Sequence, residues 1–405
     1  MNSKELISIL IVIAFFLSSS ANAREWYIQP TTKLRVEVDD NLRLRTEESK
    51  DVAGFRASLF TKYGTRTETS NIDLTTLLDV YRYWGQENLD REDLDWTAGS
   101  NFQLTERNQL GLDAVYIRDT SLTSEIELTG LTQILVDREK FNISPHWAYT
   151  LSELQTLQTQ YTHEEVTYDN TSNSRLNSYK TDSINLTYIY QWRADTQLFA
   201  TFSALQYRLT DIDIETDDYS INAGFDYNYS ETLSFNAMVG TRYSVNRTGS
   251  RVIVSRIGSL LIPNTIPGTE NSSLGSLFSL GVKKQFESGD LDLSYSRSVS
   301  PSGSGEFLQA DRFKASVSQG ITERLKFDVS AAINRSTSTD DKRDTGRTYY
   351  LIEPKLNWQF DRQTLLSGGY RYRLQEFDSR NNDAVSNGVF VTISYQWDKL
   401  STNRF

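Results

Sequence analysis

Apolar and polar residues alternate with a period of two along almost the whole chain. Leu110, Leu112, Ala114 and Tyr116 interleave with Gly111, Asp113 and Val115. Ile184, Leu186, Tyr188, Tyr190 and Trp192 interleave with Asn185, Thr187, Ile189 and Gln191. The same beat runs through Ile221 to Tyr229, Leu233 to Tyr243, Leu325 to Ile333, Tyr350 to Phe360 and Leu366 to Leu374. Alternation of this kind sets one strand face on an apolar medium and the other on water. Runs of about ten residues or more match tilted membrane-crossing strands rather than the five or six of a soluble sheet.

The connections carry a second rhythm. Tight turns fall at 106–108, 152–153, 194–196, 230–232, 288–290, 322–324 and 361–363, with a looser one near 67–71. Between them lie longer polar segments, 47–53, 85–93, 120–136, 164–179, 211–218, 246–273, 299–308, 336–347 and 377–386. Short and long connections therefore alternate, as in an outer-membrane barrel with short periplasmic turns and long external loops. The expected fold is an all-β, transmembrane, antiparallel up-and-down β-barrel of about 18 strands, with 16 as the neighbouring even count and both termini periplasmic. Closure follows from the medium, because an open sheet edge in lipid leaves N–H and C=O groups unpaired. Trp96, Trp147, Trp192, Trp358 and Trp397 near strand ends suit interfacial girdles.

At the start, MNSKELISILIVIAFFLSSSANA reads as a secretory signal peptide over 1–23, with the barrel over 24–405. Its apolar run of about 12 residues falls short of the roughly 20 needed for a spanning helix. The expected location is the Gram-negative outer membrane. With no cysteine in the sequence, neither disulfides nor a thiolate site is available. Two histidines leave little imidazole for acid–base or metal chemistry. Tyr 22, Phe 19 and Trp 7 in a chain that is 38% hydrophobic and of net charge -11 suit a barrel whose strands face water on one side.

The chain ends SNGVFVTISYQWDKLSTNRF, where Val389, Val391, Ile393, Tyr395 and Trp397 share a face. Ser386, Gly388, Val391, Ile393 and the terminal Phe405 resemble the C-terminal signal read by the outer-membrane assembly machinery, although five residues separate Phe405 from the expected strand end at Leu400. Trp26, Pro30 and the Val38-Asp39-Asp40-Asn41-Leu42 core of the first strand resemble the opening of β-barrel porins from exopolysaccharide and exosortase (PEP-CTERM) gene clusters. That resemblance implies a barrel associated with polysaccharide export and supplies no catalytic residues. It makes secreted polysaccharide and periplasmic export proteins expected partners, beside outer-membrane lipid and lipopolysaccharide. No nucleic-acid partner and no cofactor are expected.

Alternation assigns Arg56, Lys62, Arg242, Arg312, Lys314, Lys326, Lys355, Arg371 and Arg373 to the lumen, against Glu37, Asp73, Asp79, Asp95, Asp113, Asp226, Asp292, Asp328 and Glu353. Mixed signs suit cross-strand pairing. The last third is the more basic, and a basic wall would favour anions. The segment 251–267, with Arg251, Arg256, Ile262, Pro263 and Pro267, is too apolar for a solvated loop. It is expected to fold into the lumen as a constriction or to form a packed hairpin above the barrel. Acidic external stretches at 87–93, 211–218 and 340–341 read as solvated loops, without the spacing of a calcium loop or a metal site. His146 and His163 lack a serine or paired-carboxylate constellation, which sets an outer-membrane hydrolase behind two other readings. Those are a passive porin-like conduit for secreted polysaccharide and a non-conducting surface barrel with partner-binding loops.

Overall fold

The computed structural model describes residues 24–404 other than 48, 122–134, 170–175, 211, 258–259, 304, 306, 339–345 and 379–382. The proposed signal segment 1–23 and Phe405 lie outside the described residues. The first half of the wall comprises β1 (Arg24–Asp39), β2 (Val52–Arg66), β3 (Ser70–Trp84), β4 (Arg91–Thr105), β5 (Asn108–Thr120) and β6 (Asp137–Ser152). It continues with β7 (Gln155–Tyr168), β8 (Tyr179–Arg193), β9 (Thr196–Leu209), β10 (Ile214–Ser230) and β11 (Leu233–Thr248). A hairpin of β12 (Arg251–Ile257) and β13 (Leu260–Ile266) interrupts the order. Then come β14 (Thr269–Phe286), β15 (Gly289–Pro301), β16 (Phe307–Gly320), β17 (Leu325–Ser338), β18 (Arg347–Gln359), β19 (Thr364–Phe377), β20 (Ala384–Gln396) and β21 (Leu400–Arg404).

Each wall strand pairs antiparallel with its neighbours in sequence, and β20 pairs with β1 from Asp39↔Gly388 to Thr31↔Gln396. The result is a closed barrel of 18 strands with β21 as an extra strand. Eight connections of two to four residues lie at one end, with the chain's first and last strand residues, and the other nine, most of them longer, lie at the other. In the last short turn the Asp361 carboxylate accepts the backbone N–H groups of Gln363 and Thr364, both at 2.8 Å. These bonds hold its pKa below the usual carboxylate value.

The outer face is apolar. Val389, Val391 and Ile393 are 55%, 56% and 48% exposed, and Leu34, Val36 and Val38 on β1 continue their rows. Such a face is costly in water and stable in hydrocarbon, so the closed barrel is a transmembrane one. Beside the short turns, Trp192, Tyr229, Phe286, Phe360 and Trp397 are exposed as a girdle. Trp358–Phe360 and Tyr395–Trp397 pack edge-on at 5.5 and 5.1 Å between ring centroids.

Three features differ from the sequence pattern. Several strands run past the expected loop boundaries, β7 to Tyr168, β11 to Thr248 and β15 to Pro301. Ladder bonds join backbone groups, so pairing continues where polar side chains leave the lipid belt. The final strand stops at Gln396 rather than Leu400, and the chain resumes as β21 alongside residues 24–28 of β1. Finally, residues 251–257 and 260–266 form the β12–β13 hairpin, a separate two-stranded sheet between β11 and β14 in sequence. The side chains of Arg251, Arg256, Ile262 and Pro263 lie outside those described, and Pro267 is exposed at the hairpin's base.

Candidate functional site

The lumen has two halves of different character. Toward the long loops it is packed. The β1–β2 loop turns inward and buries Leu42 and Leu44 against Val52, Tyr81, Tyr83, Leu89, Tyr349 and Ala384, with Leu135 beside them. A second cluster joins Val136, Val166, Tyr168, Leu176, Tyr179, Tyr207, Leu209 and Phe307. Adjacent residues Leu135 and Val136 belong to one cluster each, so the packing runs from the β1–β3 and β18–β20 wall across to β7–β9. This partition is hydrophobic in a lumen that is otherwise polar.

Part of it is a displaced piece of wall. The β14–β15 ladder stops at Phe278↔Arg297, although β14 continues to Thr269 on β11 and β15 continues to Pro301 on β16. Above that point the tip of the β15–β16 hairpin sits inside the barrel. Tyr207 Oη donates to the Ser302 carbonyl at 2.8 Å and the Asn177 N–H donates to the Gly303 carbonyl at 2.6 Å. The Tyr207 and Phe307 rings meet edge-on at 5.4 Å. By alternation Val299 and Phe307 share a face with Leu293, Tyr295 and Phe313, which is the lipid-facing side lower down. Here that face lies against the lumen side of β9 and β10, at Leu205, Tyr207 and Ile214. The wall thus overlaps itself like a rolled sheet, and residues 269–277 of β14 keep a free edge on the β15 side.

Behind the partition lies a network of buried charge. Arg373 donates to Asp39 at 2.9 Å, to Ser386 Oγ at 2.8 and 3.1 Å and to the Leu42 carbonyl at 3.3 Å. Arg371 reaches Glu37 and Asp39, each at 3.3 Å. Tyr83 Oη donates to Glu37 at 3.1 Å. Two of the expected lumen arginines therefore face inward but spend their charge on structural partners under the β1–β2 loop. Arg242 is similar: it is buried, pairs with Asp218 at 3.2 Å and lies over Gly275. Arg312 donates to Ser298 at 3.2 Å.

Toward the short turns the lumen is open and wet. A cavity of about 880 Å³ is bounded by β14–β19 and includes Lys283, Lys326, Lys355, Asp290, Asp292 and Asp328. The lysines sit in loose pairs, Lys283–Asp292 at 3.5 Å, Lys355–Asp328 at 3.8 Å and Lys326–Asp290 at 3.9 Å. Lys314 is also exposed on this face. Distances this long in water leave the charges hydrated and available to a passing ion.

The C-terminal residues divide by face. Gly388 pairs with Asp39 on the lumen side, and Val391 and Ile393 project into the lipid belt. His146 faces the lumen and contacts Asn101 at 3.1 Å and Asp113 at 3.3 Å. His163 bonds Asp182 at 2.8 Å, beside Tyr161. Neither imidazole has a hydroxyl nucleophile among these partners, and among the described residues no cluster of three or more potential metal ligands occurs.

No family model and no curated protein matches the chain. Among solved structures, Acinetobacter baumannii OccAB4 is similar at 10% identity, over 94% of this chain and 99% of that one, with a TM-score of 0.49. Pseudomonas aeruginosa OccK5 (OpdH) aligns at 8% identity over 92% and 98% of the two chains, TM-score 0.46. The ferric-catecholate import receptor Fiu of Escherichia coli aligns at 9% identity over 91% and 81%, TM-score 0.47. Likeness at this level carries nothing about cargo.

Proposed function

We propose that the chain is an outer-membrane conduit for polar cargo, closed at its external mouth by the partition and opened when the β15–β16 tip returns to the wall. The observation that carries this reading is the divided lumen, wet and charged below and apolar and packed above. A barrel built only as a wall has no use for a wide hydrated vestibule under a self-overlapping seam, and 18 strands enclose a channel-sized lumen. The resemblance of the first strand to exopolysaccharide-cluster porins makes a secreted polysaccharide the proposed cargo. No catalytic group or cofactor is needed for passage down a gradient.

Continuing the β14–β15 register past Phe278↔Arg297 would set Ser298 against Leu277, Val299 against Ser276 and Ser300 against Gly275. The tip would gain ladder bonds there and turn Val299 and Phe307 outward, in line with Leu293 and Tyr295. It would lose the apolar burial of two side chains, about 1.5–3 kcal/mol each, and two hydrogen bonds of about 1 kcal/mol net. Terms of this size, opposed by new ladder bonds, permit two seats.

The test is a Gly275→Cys/Ser300→Cys barrel in planar bilayers, in which the end of the Arg242 side chain must shift from over residue 275, free of competing thiols because the natural chain has no cysteine. Oxidation should trap the tip on the wall and give a steady single-channel conductance several-fold above the unmodified barrel, reversed by reductant. A folded, crosslinked barrel that stays silent would remove the conduit and favour a surface barrel with partner-binding loops.

A further inference from the structure

The β1–β2 loop carries a second feature, on the side of the partition that faces external solvent. Leu44 is the one described non-glycine residue in the left-handed region, at φ 49°. An L-residue adopts that conformation only where its surroundings enforce it. Here Asn41 enforces it. Its Nδ2 donates to the Arg45 carbonyl at 2.8 Å and to the Val385 carbonyl at 2.9 Å, and its Oδ1 accepts the Arg45 N–H at 2.9 Å. The Leu44 N–H donates to the Asn41 carbonyl at 3.0 Å. Leu42 and Leu44 are thereby driven into the core, 7% and 2% exposed.

The intervening Arg43 and Arg45 line a cavity of about 130 Å³ together with Lys50, Asn41, Gln86 and Asn88. Three cations and three carboxamides meet there, and no carboxylate is among the described lining residues. Arg371, Arg373 and Arg242 are instead paired with acids. At this cavity burial, and then the Arg45 charge, lower the pKa of Arg43. Cations held together on a strained and stapled loop, with no carboxylate among the described lining residues, form a site suited to an anion.

We infer that this cavity binds an anionic group carried on a sugar, a carboxylate, phosphate or sulfate, with the carboxamides taking neighbouring hydroxyls. The volume admits one such group rather than a whole oligosaccharide. That the glycan is cargo rests on the conduit reading; that the pocket binds the anion does not. The same chemistry is offered by a free acidic glycan and by the phosphorylated sugars of lipopolysaccharide.

The experiment measures binding of trigalacturonate and of uncharged maltotriose to the full barrel in nanodiscs of neutral lipid, and again with lipopolysaccharide included. Trigalacturonate should bind saturably and more weakly as salt rises. Maltotriose should bind at least about tenfold more weakly, and Arg43→Gln/Arg45→Gln should weaken trigalacturonate by about tenfold or more. Trigalacturonate binding displaced by lipopolysaccharide would support the site with the lipid's sugars as its occupant. Binding indifferent to lipopolysaccharide would support it with a free glycan. Equal affinity for the two trisaccharides, or no change in the double variant when heat-modifiable mobility confirms its fold, would overturn the site. A barrel that binds but never conducts would leave the site standing and remove the conduit.

Discussion

Phe390 shows how one side chain can be decided by context that its neighbours in sequence do not carry. It sits between Val389 and Val391 in the last wall strand, on the face where Thr392, Ser394 and Gln396 follow, so the period of two assigns it to the polar lumen. It does face the lumen, yet it is 5% exposed. Its ring lies over Gly369, where any Cβ would fall 2.5 Å from a ring carbon, and the Arg35 guanidinium caps the other side 3.6 Å from the centroid. A glycine opposite an aromatic is thus a packing partner here, and the cation adds a cation–π contact. Phe390→Ala should destabilise the barrel by about 3–5 kcal/mol, since it leaves a cavity and an uncovered arginine. Val391→Ala, one residue away in the lipid belt, should cost far less, whereas Val391→Arg should cost about 2–4 kcal/mol. Urea unfolding of lipid-refolded barrels, followed by tryptophan fluorescence, separates the three. Equal losses for Phe390→Ala and Val391→Ala would mean that the glycine–aromatic–arginine stack contributes nothing.

At the scale of elements, strands were legible and loop directions were not. Alternation follows from the two media on either side of the wall, so each strand reports its own faces. The placement of Leu42, Leu44, Ser302, Gly303 and Phe307 depends on residues far away in sequence. Leu44 packs with Tyr81 and Tyr349, and Phe307 with Tyr207. No local period encodes such contacts, and two leucines amid Asn41, Arg43 and Arg45 read as an ordinary polar loop. For the apolar segment 251–267 composition left a constriction and a packed hairpin open, and the backbone forms the β12–β13 hairpin, while the described packing inside the mouth comes from other loops. One signal was available: Val299 and Phe307 keep the wall's beat into a segment that otherwise reads as loop. That beat is expected if the β15–β16 tip has a seat in the wall as well as one inside. Phe307→Ala removes about 3–5 kcal/mol from the inner seat alone, and Tyr207→Phe removes one hydrogen bond of about 1 kcal/mol. Both should speed formation of the disulfide between cysteines placed at 275 and 300, Phe307→Ala by more. A crosslinking rate unchanged in Phe307→Ala would show that the inner contacts do not hold the tip.

For the whole molecule the question is where selectivity would be set. Formal charge is -11, but the charge that matters to a passing ion is what remains hydrated along its path. Three of the lumen arginines are committed: Arg371 and Arg373 to Glu37 and Asp39, and Arg242 to Asp218. Pairs that are buried and close are poor at attracting ions, because their fields cancel over a short distance. The vestibule is different, with Lys283, Lys326 and Lys355 each 3.5–3.9 Å from a carboxylate and open to solvent. Near-balanced signs there predict weak selectivity in the unmodified barrel, despite the basic count of the last third. Replacing all three lysines with glutamate, in the oxidised Gly275→Cys/Ser300→Cys background that holds the mouth open, turns three mixed pairs into three acidic ones. The reversal potential across a KCl gradient should then move strongly toward cation selectivity at about 0.1 M salt, where the screening length is about 10 Å. It should relax toward the unmodified value near 1 M, where that length is about 3 Å. A shift of this kind would put the conducting path through the vestibule. Its absence, with conductance intact, would mean that ions cross the barrel along another wall, and the neutral row of Asn101, Gln158 and Asn185 around His146 is where that path would then be sought.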